Sequence, residues 1–133
     1  MILLDTHAAI WFMNNDPALG ARSKAIALAA LKADELGLSA ISFWEIALLI
    51  AKRRLLWGEP VSALREQIIG AGLIELPLTG TIAMAAAELK SLHADTADRF
   101  IAATAVVQDA ALMTADKKLL RWHHVIRRYD AGR

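Results

Sequence analysis

The chain has 133 residues, a formal net charge of +1 and no cysteine. That length fits a single domain spanning residues 1–133, and the absence of cysteine excludes a disulfide framework, a thiolate metal site and cysteine catalysis. The near-neutral balance excludes a globally polycationic nucleic-acid binder, while a hydrophobic content of 56% is high for so small a domain, so part of the apolar surface is expected to meet another chain.

Met1 to Asp5 reads as a short strand, and Thr6 to Phe12 opens a helix that Asn14-Asn15-Asp16-Pro17 breaks. Ser23 to Leu36 is alanine-rich with interspersed charge, a helix expected to end at Gly37 before a second strand from Leu38 to Ile41. Ser42 to Arg54 is helical. Gly58-Glu59-Pro60 restarts the chain into a helix through Ile69, which Gly70 and Gly72 close. Leu73 to Leu76 gives a third strand and Thr79 to Leu92 another helix. Thr96 to Ala110 is a helix that is apolar nearly all round, Ala111 to Thr114 a fourth strand, and a short helix reaches Trp122 before a fifth strand at Val125 to Arg127. Short apolar strands alternating with helices predict an α/β fold with a central parallel sheet of four to five strands, flanked by helices on both faces. The longest apolar stretch, Ile46 to Ala51, is far short of a membrane span, and Met1 to Leu4 lacks the basic flank of a signal peptide. A cytoplasmic protein is expected.

Ligands of open α/β sheets bind beyond the carboxyl ends of the strands. Asp5 follows the first strand there, Glu45 lies early in the helix after the second, Asp116 follows the fourth, and Asp98 sits in the first turn of the long buried helix. Each also has a plain structural reading. Ser42 to Glu45 has the spacing of a capping box, as does Asp95 to Asp98, with Asp95 as the cap; Asp5 and Asp116 can cap their own helices. Caps, however, are equally served by serine, threonine or asparagine. Carboxylates at all four positions, with no cation equally well placed to neutralise them, form an oxygen donor set suited to Mg²⁺ or Mn²⁺.

These residues carry a resemblance. Leu3-Leu4-Asp5-Thr6-His7-Ala8-Ala9-Ile10-Trp11 resembles the opening motif of PIN domains, especially the VapC-type toxins of VapBC toxin–antitoxin pairs. Ser39 to Ala47, Asp95 to Ala105 and Leu112 to Lys117 resemble the second, third and fourth acidic motifs, in order. One departure is Thr96, where proline is common in this subgroup. The resemblance implies a PIN-like domain and an RNA endonuclease using Mg²⁺ or Mn²⁺ held by Asp5, Glu45, Asp98 and Asp116. It also implies a homodimer and a small antitoxin whose C-terminal segment lies in a groove near the acidic site.

Around this set, Thr114 and Thr6 are candidates to hydrogen-bond a ligand carboxylate, or are simply satisfied by backbone. Asp95 is expected mainly as a cap, and Arg99 as a phosphate contact or a structural ion pair. His7 is expected to bond backbone at a helix start; His93, His123 and His124 are expected in surface or loop positions. Trp11, Trp44, Trp57 and Trp122 could stack on bases, though packing is the commoner use of tryptophan. The alternatives to an RNA nuclease are a DNA nuclease or other Mg²⁺ phosphoesterase of the same fold, and a PIN-like binding module whose carboxylates serve as caps.

Overall fold

The computed structural model describes residues 1–92 and 94–133; His93 lies outside them. The strands are β1 (Ile2–Leu4), β2 (Leu36–Ser39), β3 (Ile74–Leu76), β4 (Ala111–Thr114) and β5 (Arg128–Asp130). The helices are α1 (Thr6–Asn14), α2 (Ala21–Lys32), α3 (Ile41–Ala51), α4 (Val61–Gly70), α5 (Gly80–Glu88), α6 (Thr96–Val107) and α7 (Lys117–Arg121). All strand pairs are parallel, in the order β3-β2-β1-β4-β5.

Successive strand residues point to opposite faces, and here both faces are covered. Leu4 joins Leu36, Leu38 and Met113 under Ala8, Ala27, Ile46 and Ile68. Its neighbour Leu3 joins Leu76 and Leu112 under Ile101, Ala105, Leu119 and Trp122 on the other face. Full burial of such a leucine stabilises the fold by roughly 1.5–3 kcal/mol. That is why apolar runs rather than alternating patterns mark these strands. The chain travels outward from β1 through β2 to β3, then returns to lay β4 against the other side of β1. The direction of winding therefore reverses at β1 and β4, whose carboxyl ends carry Asp5 and Asp116.

Several boundaries differ from expectation, three of them for a visible reason. Gly37 does not end α2. The left-handed turn after that helix falls to Asp34, at φ 55°, and Gly37 lies inside β2, paired with Ile74. A Cβ on Gly37 would stand 2.8 Å from the Ile74 carbonyl oxygen, so glycine is required by the closeness of β3 rather than by a helix end. Helix α5 stops at Glu88, short of Leu92, because Leu89 is extended and Ser91 takes φ 61°. Strand β5 begins at Arg128, three residues later than its apolar signal. Val125 is 96% exposed, and pairing is set instead by Leu112 N–H to Arg127 O at one end and Ala131 N–H to Thr114 O at the other, both 2.9 Å. Among the described residues no helix is long and apolar enough to cross a membrane.

Candidate active site at the carboxyl edge of the sheet

Asp5 is the N-cap of α1. Its backbone is extended, and Oδ1 accepts from Ala8 N–H at 2.8 Å. Oδ2 accepts from the hydroxyl of Thr114 at the end of the neighbouring strand. The same Thr114 hydroxyl accepts from Asp116 N–H at 3.0 Å, and Asp116 in turn caps α7, Oδ1 accepting from Lys118 N–H at 2.8 Å and Leu119 N–H at 3.1 Å. Capping and site-building are thus not alternatives for these two carboxylates. One oxygen of each holds a helix start, and the bonds fix the orientation of the other.

The second motif is built differently from its expected capping box. The N-cap of α3 is Ala40, with no side-chain cap bond. Ser42 is fully buried and accepts from the Thr6 hydroxyl at 3.0 Å, while Ser39 Oγ accepts from Ile41 N–H at 3.2 Å. A serine placed inside the helix, against α1, cannot cap it. Glu45 is therefore not drawn back to the helix start and faces the cavity. Thr6 does not touch a carboxylate; it ties α1 to α3. In the third motif, Asp95 occupies the N-cap position of α6 but makes no side-chain cap bond, contrary to its expected role. Asp98 lies in the first turn of that helix, half-buried.

Asp5, Glu45, Asp98 and Asp116 line one cavity of about 310 Å³, together with Asp95, His7, Trp11 and Ala115. No lysine or arginine is among these residues, and among the described residues none of the five carboxylates is in an ion pair. Their mutual repulsion appears in the proton affinities. Asp98 is pushed up to about 7, first by burial and then by Glu45, Asp116, Asp5 and Asp95. Asp5 is raised as well, chiefly by burial; its hydrogen bonds from Thr114 and Ala8 and the nearby His7 oppose that rise, and Glu45 adds to it. Oxygen donors of one sign, crowded and uncompensated, fit a hard divalent cation. Among the described residues no three histidine or acidic side chains stand close enough to form a finished metal cage, so closure about an ion requires side-chain rotation of Glu45 or Asp98, for which no hydrogen bond is present.

Arg99 makes no ion pair among the described residues, and its guanidinium is taken up by main-chain carbonyls. Its guanidinium donates to Ala86 O through Nε and Nη2 (3.1 and 2.7 Å), to Leu89 O through Nη2 (3.1 Å) and to Leu92 O through Nη1 (2.8 Å). The early end of α5 leaves these carbonyls without helical partners, and a planar fork of donors collects them. His7 packs against Trp11 one turn on, with ring centroids 6.3 Å apart. Trp11, for which packing is the commoner expectation and base stacking the alternative, is a wall of the site; its helical spacing from Asp5 and His7 is the signal for that. Trp44 is 50% exposed, Trp57 packs on the core, and buried Trp122 donates through Nε1 to Lys90 O at 2.9 Å. His124 stacks on Trp122 and accepts from Ile126 N–H.

Three comparisons bear on this geometry. The PIN domain family matches residues 2–124. The chain is 34% identical over 124 residues to Ribonuclease VapC22 of Mycobacterium tuberculosis, covering 92% of each. Among solved structures it resembles FitAcB of Neisseria gonorrhoeae, with 26% identity, a TM-score of 0.64 and coverage of 97% of this chain and 96% of that one. It also shares its fold with VapBC2 of Rickettsia felis bound to a promoter DNA fragment, at 21% identity, a TM-score of 0.70 and coverage of 98% and 100%. A carboxylate-lined cavity at the winding switch of a parallel sheet, on a chain matched almost end to end, places this protein in the PIN-domain family, on its VapC branch.

Proposed function

We propose that the chain is a Mg²⁺- or Mn²⁺-dependent endoribonuclease, the toxin of a toxin–antitoxin pair, acting as one PIN-like domain. The observation that carries this reading is the convergence of Asp5, Glu45, Asp98 and Asp116, from four separate segments, on one cavity with no lysine or arginine in its wall. The ribonuclease name of the M. tuberculosis relative supports the reaction, and the FitAB and VapBC complexes among the structural neighbours support an antitoxin partner.

Asp5, Glu45, Asp98 and Asp116 would hold the cation, and Asp95 borders them. A divalent ion held there would supply water activation and offset charge developing on the scissile phosphate. The residues of the chain divide the remaining work. Asp5 and Asp116 are immobilised by Thr114 and by helix-start N–H groups, which places two oxygens in fixed relation before any ligand arrives. Glu45 and Asp98 supply adjustable carboxylates. Asp98, pushed up to about 7, is partly protonated near neutrality, and a cation held there would favour its ionised form. His7 and Trp11 narrow the approach on the α1 side.

The antitoxin has a suitable neighbour in the groove lined by Trp44, Leu48, Leu49 and Lys52, which is continuous with Glu45 and Asp95. Exposed Met84 and Val107 are apolar surface available to a second copy in a homodimer. This reading implies a cytoplasmic protein. The test is cleavage of single-stranded RNA and DNA by the purified chain in Mg²⁺ or Mn²⁺, in chelator, and after metal return. RNA cleavage that stops and resumes is expected. Cleavage that persists in chelator, or acts on DNA alone, would overturn the reading.

A further inference from the structure

We propose that a second cavity, bounded by Arg22, Arg128 and Arg133 beside the edge strand β5, is a phosphate-binding site that holds the RNA strand next to the carboxylate cavity. The proposal rests on the ribonuclease reading for its substrate, but the site itself is argued from separate residues.

This cavity, of about 510 Å³, lies between the start of α2 and strand β5, with Leu120 of α7 as part of its wall. Its only acidic side chain is Asp130, whose Oδ2 is 3.6 Å from Arg133 Nε. Three guanidiniums against one carboxylate leave it positive, and it stays positive if a main-chain carboxylate at Arg133 is counted as well. Arg128 donates through Nη2 to His124 O at 3.1 Å, whereas its Nη1 is buried and has no acceptor among the described residues. The Arg128 guanidinium is thus only partly paired in the wall of the cavity, and an anionic oxygen complements such a group better than a neutral one. Arginine forks suit phosphate geometry better than any other cationic side chain.

The position ties this cavity to the carboxylates. Ala131 N–H donates to Thr114 O at 2.9 Å, and the hydroxyl of that same Thr114 holds Asp5. Neighbouring strands are about 4.8 Å apart, so β5 lies only about 10 Å from β1. Exposed Lys117 and Lys118 lie on α7 in sequence between Asp116, which lines the carboxylate cavity, and Leu120, which lines the arginine cavity. A polyanion approaching five crowded carboxylates is repelled; a cationic flank beside the edge strand β5 offsets that repulsion and gives the strand a direction. Net charge conceals this, because acidic cavity and basic flank cancel in the sum.

The experiment compares Asp98→Asn protein, as a binding background, with and without Arg22→Glu plus Arg133→Glu; both arginines are exposed, so folding should persist and is checked by thermal melting. Arg128→Ala is the third variant. Fluorescence anisotropy reads the binding of a labelled single-stranded RNA of about 12 nucleotides, and of a dinucleotide, from about 50 to 200 mM salt. The longer RNA should bind about tenfold more weakly to the double variant, with the slope of log affinity against log salt shallower by about 0.7 per lost phosphate contact. The dinucleotide should be unaffected. Unchanged affinity and slope for the long RNA would overturn the proposal, as would equal losses for both ligands. Unchanged RNA binding with lost binding of poly-glutamate would assign the cavity to an acidic protein and equally overturn it. Because binding is read without cleavage, failure of the ribonuclease reading would show separately, as a wild-type chain that cuts no RNA.

Discussion

The hydroxyl of Thr114 joins Asp5 to the backbone of Asp116: it donates to Asp5 Oδ2 and accepts from Asp116 N–H. One side chain at the end of β4 thus sets the relation between the carboxylates that follow β1 and β4. Thr114→Val keeps the shape and removes both bonds. It should lower RNA cleavage by about 10–100-fold, and the buried acceptor it leaves should cost roughly 1–3 kcal/mol of stability. Thr114→Ser should recover most of both. The measurements are initial rates in Mn²⁺ and thermal melts. A Val variant of full activity would show that Asp5 needs no support from β4.

Asp95 and Asp98 should separate cleanly. Asp98→Asn keeps volume and removes charge from the most crowded carboxylate; cleavage should be lost while the fold persists. Asp95 makes no cap bond, so Asp95→Ala should cost less than the roughly 1 kcal/mol of an ordinary lost cap, and Asp95→Asn should retain substantial activity. Full activity in Asp98→Asn beside an inactive Asp95→Asn would reverse the two assignments.

Arg99→Lys is expected to be nearly as damaging as Arg99→Ala. Four hydrogen bonds from one planar group to three carbonyls cannot be copied by a single ammonium. A loss of roughly 3 kcal/mol follows from bonds of this charged class. Urea unfolding of both variants reads it; a Lys variant as stable as wild type would show that only the charge matters.

The alternation of parallel strands with helices and the four carboxylates were legible because burial on both faces writes strands as apolar runs, and because caps and donors share residue types at the same chain positions. What escaped the sequence depends on distant contacts. Gly37 looked like a helix end; only the Ile74 carbonyl 2.8 Å from its would-be Cβ shows why it lies within a strand. Val125 looked like a strand residue, yet edge-strand pairing is decided by backbone groups that carry no sequence signature. Ser42 and Glu45 fitted a capping box until the buried Thr6–Ser42 bond moved the helix start to Ile41. The arginine cavity was invisible for the same reason, since Arg22 and Arg128 lie far apart in sequence.

Stability of the metal-free protein should fall as pH rises, the reverse of the usual carboxylate effect. Asp98 loses its proton near 3.8 when unfolded but only at about 7 when folded, and Asp5 is displaced in the same direction. Between about pH 4 and 7 the folded state therefore binds more protons than the unfolded state, and stability declines with each pH step across that window. Above about 7 the contribution of Asp98 is complete and the curve should flatten as far as this group is concerned. Asp98 is partly open to solvent, which screens the effect, so a fall in melting temperature of a few degrees is expected from pH 5 to pH 8 in chelator. Mg²⁺ should reverse it at pH 8 by binding the folded state. Asp98→Asn should flatten the decline and blunt the response to Mg²⁺. Melts in chelator that rise from pH 5 to pH 8, in both wild type and Asp98→Asn, would show that the crowded carboxylates do not hold protons as the geometry requires.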